Sequence, residues 1–272
     1  MRATVQALWR YPVKSMLGEP ISSGALGERG IAGDRAYALV DVETGKVASA
    51  KRPRRWGALF ECRARFVDEP DAGTAPPPVE ITLPDGTTIT SDDHDVHDAL
   101  SRVTDRAVRL STEPPATPMI EAIDPDMPDA IDDVQIALGA PGTFFDGLPV
   151  HLLTTATLTA LSASHAGAFD PRRFRPNLVI ETDGAGFVED GWVDHMVTIG
   201  DAAVYVLMPT PRCVMTTLPQ SGLPQDPDIL RTIAARNRVD IPGLGPGSCA
   251  GVYGLVTTPG RVQIGDTVTT SG

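Results

Sequence analysis

The chain has 272 residues, 42% of them apolar, with no low-complexity tract; that supports a hydrophobic core in one large or two closely packed domains and excludes a fibrous or disordered protein. A net charge of -12 argues against nucleic acid as a partner, because phosphate contacts come from an excess of Lys and Arg. No apolar run approaches the roughly 18 residues of a membrane helix, and without an N-terminal signal core a soluble, cytoplasmic protein is expected. The charge is uneven: residues 1–60 hold ten Lys+Arg against five Asp+Glu, which leaves -17 on the remainder. One basic end on an acidic protein suggests a local anion site.

In chain order, residues 1–65 read as β-rich. Tyr37–Val42 and Lys46–Ala50 flank Gly45 in a hairpin pattern, and Asp85-Gly86 turns a second hairpin across Val79–Thr90. Between them, residues 68–78 are too rich in Pro and acid to pack. A short helix is expected around Asp95–Val103. Residues 111–133, with seven carboxylates and several prolines, read as a solvated loop or linker. His151-Leu152-Leu153 is a strand end, and Thr154-Thr155 an N-cap for a helix that Gly167 stops. Leu178–Glu181 and Val197–Met208 are predicted strands, the second bent at Gly200-Asp201. A helix runs from Ile229 to about Asn237, and Val252–Thr257 and Arg261–Thr269 are strands around Pro259-Gly260. Short strands with frequent turns point to a β-barrel.

Three constellations could carry chemistry. In Tyr11-Pro12-Val13-Lys14-Ser15, Pro12 lacks an N–H and ends a strand, so the turn can aim the Lys14 ammonium and Ser15 hydroxyl at one phosphate, with the planar fork of Arg35 beside them. The alternative is a polar turn, with Lys14 a surface charge and Arg35 paired with Asp34. In Arg172-Arg173-Phe174-Arg175, the guanidiniums repel one another unless an anion or carboxylates separate them; a solvated cluster is the competing reading. Cys213 follows a strand end, held by Pro209 and Pro211 and beside Arg212, which favours a thiolate. For Cys62 and Cys249 an inert core thiol is the default.

Other motifs say less. His94 and His97, at i and i+3, find no matching third ligand and read as a solvated face. No P-loop, GxGxxG, GxSxG or HExxH occurs. Lys14, Lys46 and Lys51 are the only lysines, which restricts any Schiff-base chemistry to three candidates.

Taken in order, Tyr11-Pro12-Val13-Lys14-Ser15, Gly33-Asp34-Arg35, Arg173-Phe174-Arg175-Pro176-Asn177, Arg212-Cys213 followed by Thr216-Thr217, Gly251-Val252-Tyr253 and Pro259-Gly260 with Gly265-Asp266 resemble the MOSC proteins that carry an N-terminal MOSC β-barrel region. These are relatives of the C-terminal domain of molybdenum cofactor sulfurase and of the mitochondrial amidoxime reducing component. The resemblance implies a mixed, predominantly β fold. An N-terminal β-barrel-like region, residues 1–120, would pack on a MOSC (pyruvate-kinase-type) β-barrel, residues 121–272, with a few helices.

It also implies a pterin molybdenum cofactor between the two parts, with Cys213 as the thiolate ligand to molybdenum. Lys14, Ser15 and Arg35 would hold its phosphate or pterin. Thr154, Thr155 and Arg175 would add contacts from the second half, and Pro211 and Tyr253 would line the metal side. A helix N-terminus at Thr154-Thr155 would by itself suit an anion. The implied activity is reduction of N–O bonds in N-hydroxylated small molecules, with electrons from a separate flavin or iron–sulfur reductase, since no cluster or flavin motif is visible. Two other functions stay open: sulfur transfer through a Cys213 persulfide, and a non-enzymatic module gripping a phosphorylated ligand. Pyridoxal phosphate, sometimes associated with the family, would find only Lys14 at an anion-like position. The chain departs from the family at Ala250-Gly251, where Phe-Gly is usual, and at Leu218-Pro219-Gln220, which lacks the acidic residue that commonly follows the threonine pair.

Overall fold

Along Ala3–Arg10 the residues Ala3, Val5 and Leu8 are buried and Gln6 is exposed, the alternation of a strand with one face on a core. By contrast Val150–Thr154 is buried throughout. It runs parallel to Leu178–Thr182, with Leu152 opposite Leu178, and parallel strands covered on both faces read as continuous apolar runs. The computed structural model describes residues 2–116, 118–122, the backbone of 134–137, and residues 142–165, 167, 169–241 and 243–271.

The largest sheet has the order Val268–Thr270, Met196–Ile199, Ala202–Pro211, Gly245–Thr258, Val150–Thr154, Leu178–Thr182, Ala3–Arg10, Glu19–Ile21. Thr4 bridges Thr267, and Val5 exchanges backbone hydrogen bonds with Asp266 and Gly265. The sheet therefore curls until Ala3–Arg10 meets the segment leading into Val268–Thr270, and it closes as a barrel, which removes the open edges. Its interior is aliphatic, with Val5, Leu8, Val150, Leu152, Leu178, Ile180, Val197, Val204, Val206 and Val252 in one cluster.

A second core lies under the small sheets of the N-terminal part. Ala38–Asp41 pairs with Val108–Ser111, and Arg63–Phe66 with Val79–Thr82 and Thr88–Thr90. Val13, Met16, Leu39, Trp56, Leu59, Ile81 and Leu100 fill it. The helix Val96–Thr104 covers one side with Val96, Ala99 and Leu100 and ends at Asp105 in the left-handed conformation. Four α-helices occur among the described residues and the other regular structure is mainly strand, a mixed, predominantly β fold. No helix among them is long and apolar enough to cross a membrane.

Four local expectations change. The span Val197–Met208 is two strands rather than one bent strand: Met196–Ile199 and Ala202–Pro211 form a hairpin at Gly200, whose φ of 55° supplies the reversal. The strands after Pro259 do not fold back on Val252–Thr257; Gly260–Gln263 pairs with Ser23–Gly27 and Val268–Thr270 with Met196–Ile199. Inside the expected loop at 111–133, Met119–Ala122 is a strand paired with Val134–Ala137, because Ile120 is apolar enough to bury against Ala38, Val47 and Phe144; residues 123–133 lie outside the described residues. The second arm of the first hairpin shrinks to the Val40–Val47 bridge, since Ala38–Asp41 finds its long-range partner in Val108–Ser111.

Candidate functional site

The Tyr11–Ser15 stretch is pinned rather than free. Tyr37 N–H donates to Pro12 O, Lys14 N–H to Tyr37 O, and Arg35 N–H to Tyr11 O. Asp34 accepts from the Tyr11 N–H at 2.8 Å and pairs with the Arg35 guanidinium, the pairing that the polar-turn reading expected. Lys14 is not a surface charge: it is 3% exposed, and its ammonium donates to Phe144 O at 2.9 Å and to Asp146. Burial pushes it down to about 8, against the pull of Asp146.

Tyr11 separates two cations. The Arg35 and Arg175 guanidiniums lie over its ring at 4.8 and 4.2 Å, contacts favoured by the ring quadrupole, and its hydroxyl donates to Pro176 O. Arg175 donates to Met16 O at 2.6 Å and is 8% exposed. The arginine cluster thus splits by partner. Arg172 pairs with Asp170, and Arg173 is spent on the carbonyls of Thr216, Leu218 and Pro224. Only Arg175 turns toward Lys14's side of the molecule.

Backbone geometry marks the same residues. Ser15, Arg35 and Arg175, with φ of 65°, 49° and 54°, are three of the five non-glycine residues at positive φ among the described residues. Each such conformation costs on the order of 1–2 kcal/mol and tends to concentrate where function requires it.

The other side of the site is built by the barrel. His151 is buried, with Arg212 3.4 Å from Nε2, the Arg175 carbonyl near Nδ1 and the Tyr253 ring 5.4 Å away. Burial, followed by Arg212, holds it well below its ordinary pKa, so the imidazole is neutral at pH 7. Gly251, at φ 80°, makes room for it: a Cβ there would lie 2.4 Å from His151 Nε2. Cys213 is half-buried against a small apolar cluster of Leu17, Ala50, Phe60, Met215 and Leu218 at the seam between the two cores. Burial raises Cys62 and Cys249 to about 12, which leaves them protonated and inert at neutral pH.

Lys51 and Asp146 complete the arrangement. Asp146 lies 3.5 Å from the Lys51 ammonium as well as bonding Lys14. Burial would raise its pKa, but Lys14 and then Lys51 hold it well below the carboxylate range. Burial likewise opposes the charge on Lys51, yet Asp146, ahead of Cys213 and Tyr253, raises its pKa. Five cations, Lys14, Arg35, Lys51, Arg175 and Arg212, therefore face two carboxylates, Asp34 and Asp146. Arg212 Nε is buried with no acceptor. Uncompensated buried charge is expensive, so this cationic group suits an anion.

Thr154 and Thr155 have other partners. Thr154 Oγ1 donates to Glu189 and accepts the Thr157 N–H, and Thr155 Oγ1 accepts the Thr182 N–H; none of their described contacts reaches the cationic group. Pro211 is exposed at its strand end opposite Cys249. His97 Nδ1 accepts the Leu110 N–H while His94 points to solvent. Sequence reading left Asp146, His151 and Lys51 without a role. Lys51 had a signal, as one of three lysines in a basic run, whereas Asp146 and His151 sit in no pattern.

Comparisons with known proteins bear on the family of the chain. Residues 2–69 match the MOSC N-terminal beta barrel domain and residues 141–269 the MOSC domain. The chain is 27% identical to mitochondrial amidoxime-reducing component 1 of Homo sapiens over 97% of its own length and 82% of that protein. Against mitochondrial amidoxime reducing component 2 of Rattus norvegicus it is 32% identical over 45% of this chain and 37% of that one. The YUAD protein from Bacillus subtilis superposes with a TM-score of 0.49 at 12% identity, covering 99% of this chain and 96% of that one. With both models matched in the expected order across most of its length, the chain belongs to the MOSC-domain proteins that carry an N-terminal MOSC β-barrel domain.

Proposed function

We propose that the protein is a molybdenum-cofactor-dependent oxidoreductase that reduces N–O bonds of N-hydroxylated small molecules, with electrons delivered by a separate reductase. The observation that supports this is the surplus of buried cations around a half-buried cysteine, with the unpartnered Nε of Arg212 among them. The residues fit an anionic pterin cofactor whose metal accepts a soft thiolate, and that group, when bound, supplies the redox chemistry.

Within this proposal the chain's own residues take the following tasks. Lys14, Arg35 and Arg175 would hold the phosphate and pterin, and Asp34 fixes the Arg35 fork. Ser15 Oγ already accepts the Ala50 N–H at 3.1 Å, which leaves its hydroxyl proton to donate to the anion. Cys213 would be the metal ligand, with Tyr253 and Pro211 on that side. Neutral His151 orients Arg212 without adding charge. Thr154 and Thr155 would act at one remove, by fixing barrel strands, Thr154 through Glu189 and Thr155 through the Thr182 N–H. The halves 1–120 and 121–272 are proposed as the two walls of the cleft, and the cytoplasm as the location, which cell fractionation would check.

The test is metal analysis with intact-mass spectrometry on protein made in a host that makes the cofactor. Wild type should carry molybdenum and Cys213→Ala should lose it. Equal, negligible metal in both overturns the proposal, and a labile sulfur adduct on Cys213 without molybdenum would replace it with sulfur transfer.

A further inference from the structure

Lys51 is the ionisable group at the site to which no task has yet fallen. Its side chain keeps 18% exposure against 3% for Lys14. It follows Ala50, which packs in the same apolar cluster as Cys213, and its ammonium sits 3.5 Å from Asp146 Oδ1, the oxygen that also accepts from Lys14. After Asp146, the groups with the strongest electrostatic hold on it are Cys213 and Tyr253. Lys51 is thus a cationic N–H donor that touches solvent and adjoins the apolar cluster that holds Cys213.

The neighbours are poorly suited to passing protons. Arginine does not release its proton in proteins, which removes Arg35, Arg175 and Arg212. Tyr11 is buried and already donates to Pro176 O. His151 is buried, between Arg212 and the Arg175 carbonyl. Lys14 is closed off behind Phe144 O and Asp146.

Cleavage of an N–O bond consumes protons. In R–NHOH + 2 e⁻ + 2 H⁺ → R–NH₂ + H₂O, the N–O bond breaks, the oxygen leaves as water and the nitrogen gains one hydrogen. The two electrons are those of the separate reductase. Oxygen leaves far more readily as water than as hydroxide, so a proton must reach it as the bond breaks. We propose that Lys51 is the proton donor for this step, giving one proton to the departing oxygen and regaining it from solvent beside Asp146, while the nitrogen takes its proton from water. The inference rests on the N–O reductase reading.

Lys51→Arg tests it, because arginine keeps the charge and withholds the proton. The molybdenum-loaded holoenzyme is assayed with an aromatic amidoxime and a chemical reductant in place of the reductase, alongside its molybdenum content and solvent deuterium isotope effect. The expected result is wild-type molybdenum content in Lys51→Arg with turnover lowered by about 100-fold or more, and a comparable loss of turnover in Lys51→Met. Wild-type turnover in Lys51→Arg overturns the assignment, as does a molybdenum content that falls in step with turnover, which would make Lys51 a cofactor anchor. A wild type that holds no molybdenum or reduces no N–O bond overturns the enzyme reading together with it.

Discussion

At the scale of single residues, burial changes the chemistry of Lys14 within the physiological to mildly alkaline range. Its ammonium ionises at about 8 when folded against 10.5 ordinarily. Between those values the unfolded chain binds the proton that the folded chain has lost, so stability should rise with pH across that window, by up to about 3 kcal/mol. Anion binding should run the other way, stronger below about pH 8 and weakened above it as Lys14 loses its charge. Titration calorimetry with sulfate across pH 7–10 on cofactor-free protein checks this, and Lys14→Met should flatten both trends. Lys14→Ala should also lower molybdenum content while the circular dichroism spectrum stays native; full molybdenum content would return Tyr11–Ser15 to a structural turn. Gly251 is constrained as tightly from the other side. A Cβ at φ 80° would meet His151 Nε2 and Leu152 O at 2.4 and 2.6 Å, so Gly251→Ala should cost about 2 kcal/mol or more in urea unfolding. Lysine scarcity and the Tyr-Pro-Val-Lys-Ser order made Lys14 legible in the sequence. Nothing there announced Asp146, because a carboxylate in a turn looks the same whether it meets water or two ammonium groups.

At the scale of elements, the Val150–Thr154 strand and the Thr155–Ser162 helix meet at a polar knot. Glu189 is fully buried, with no ion pair to a cation among the described residues. It accepts from the hydroxyls of Thr154 and Thr157, at 2.6 and 2.8 Å, and from the Thr154 N–H. Burial raises its pKa. Thr154→Ala removes an N-cap, worth about 1 kcal/mol, and a hydrogen bond to a buried carboxyl, worth about 1–3 kcal/mol. A loss of about 2–4 kcal/mol is expected on those grounds, with Thr154→Ser close to wild type. Unchanged molybdenum per folded molecule in Thr154→Ala would assign the residue to structure alone, whereas a specific loss would make it a cofactor contact. The N-cap was readable, since a threonine pair between an apolar run and a helical pattern has few other uses. What the cap faces was not, because Glu189 arrives from 32 or more residues away.

At the scale of the whole molecule, the chain ends are interlocked. Ala3–Arg10 pairs with Leu178–Thr182 and meets Asp266, and Ser23–Gly27 pairs with Gly260–Gln263. Residues 121–272 produced alone would therefore leave the Leu178–Thr182 strand unpaired along one side and expose the aliphatic interior around Ile180 and Leu178. Size-exclusion chromatography should find that piece aggregated, and co-expression with residues 1–120 should restore a soluble complex; a monomeric, cooperatively folding 121–272 would contradict this. Hairpins with short turns, such as Val79–Thr90, were legible because Asp85-Gly86 acts locally. The pairing of Gly260–Gln263 was not, since its partner lies more than two hundred residues away and either edge of so short a strand can pair.

The sequence by itself determined the family, the predominantly β class, the basic N-terminal end and Cys213 as the cysteine beside an arginine, because these rest on ordered motifs and local chemistry. Only the tertiary structure decided that two of the three clustered arginines are spent elsewhere, that Thr154 serves Glu189, and that Lys51 and Asp146 stand at the site. Those outcomes depend on which side chains are buried together, and burial turns a charge that water would tolerate anywhere into one that must find a partner.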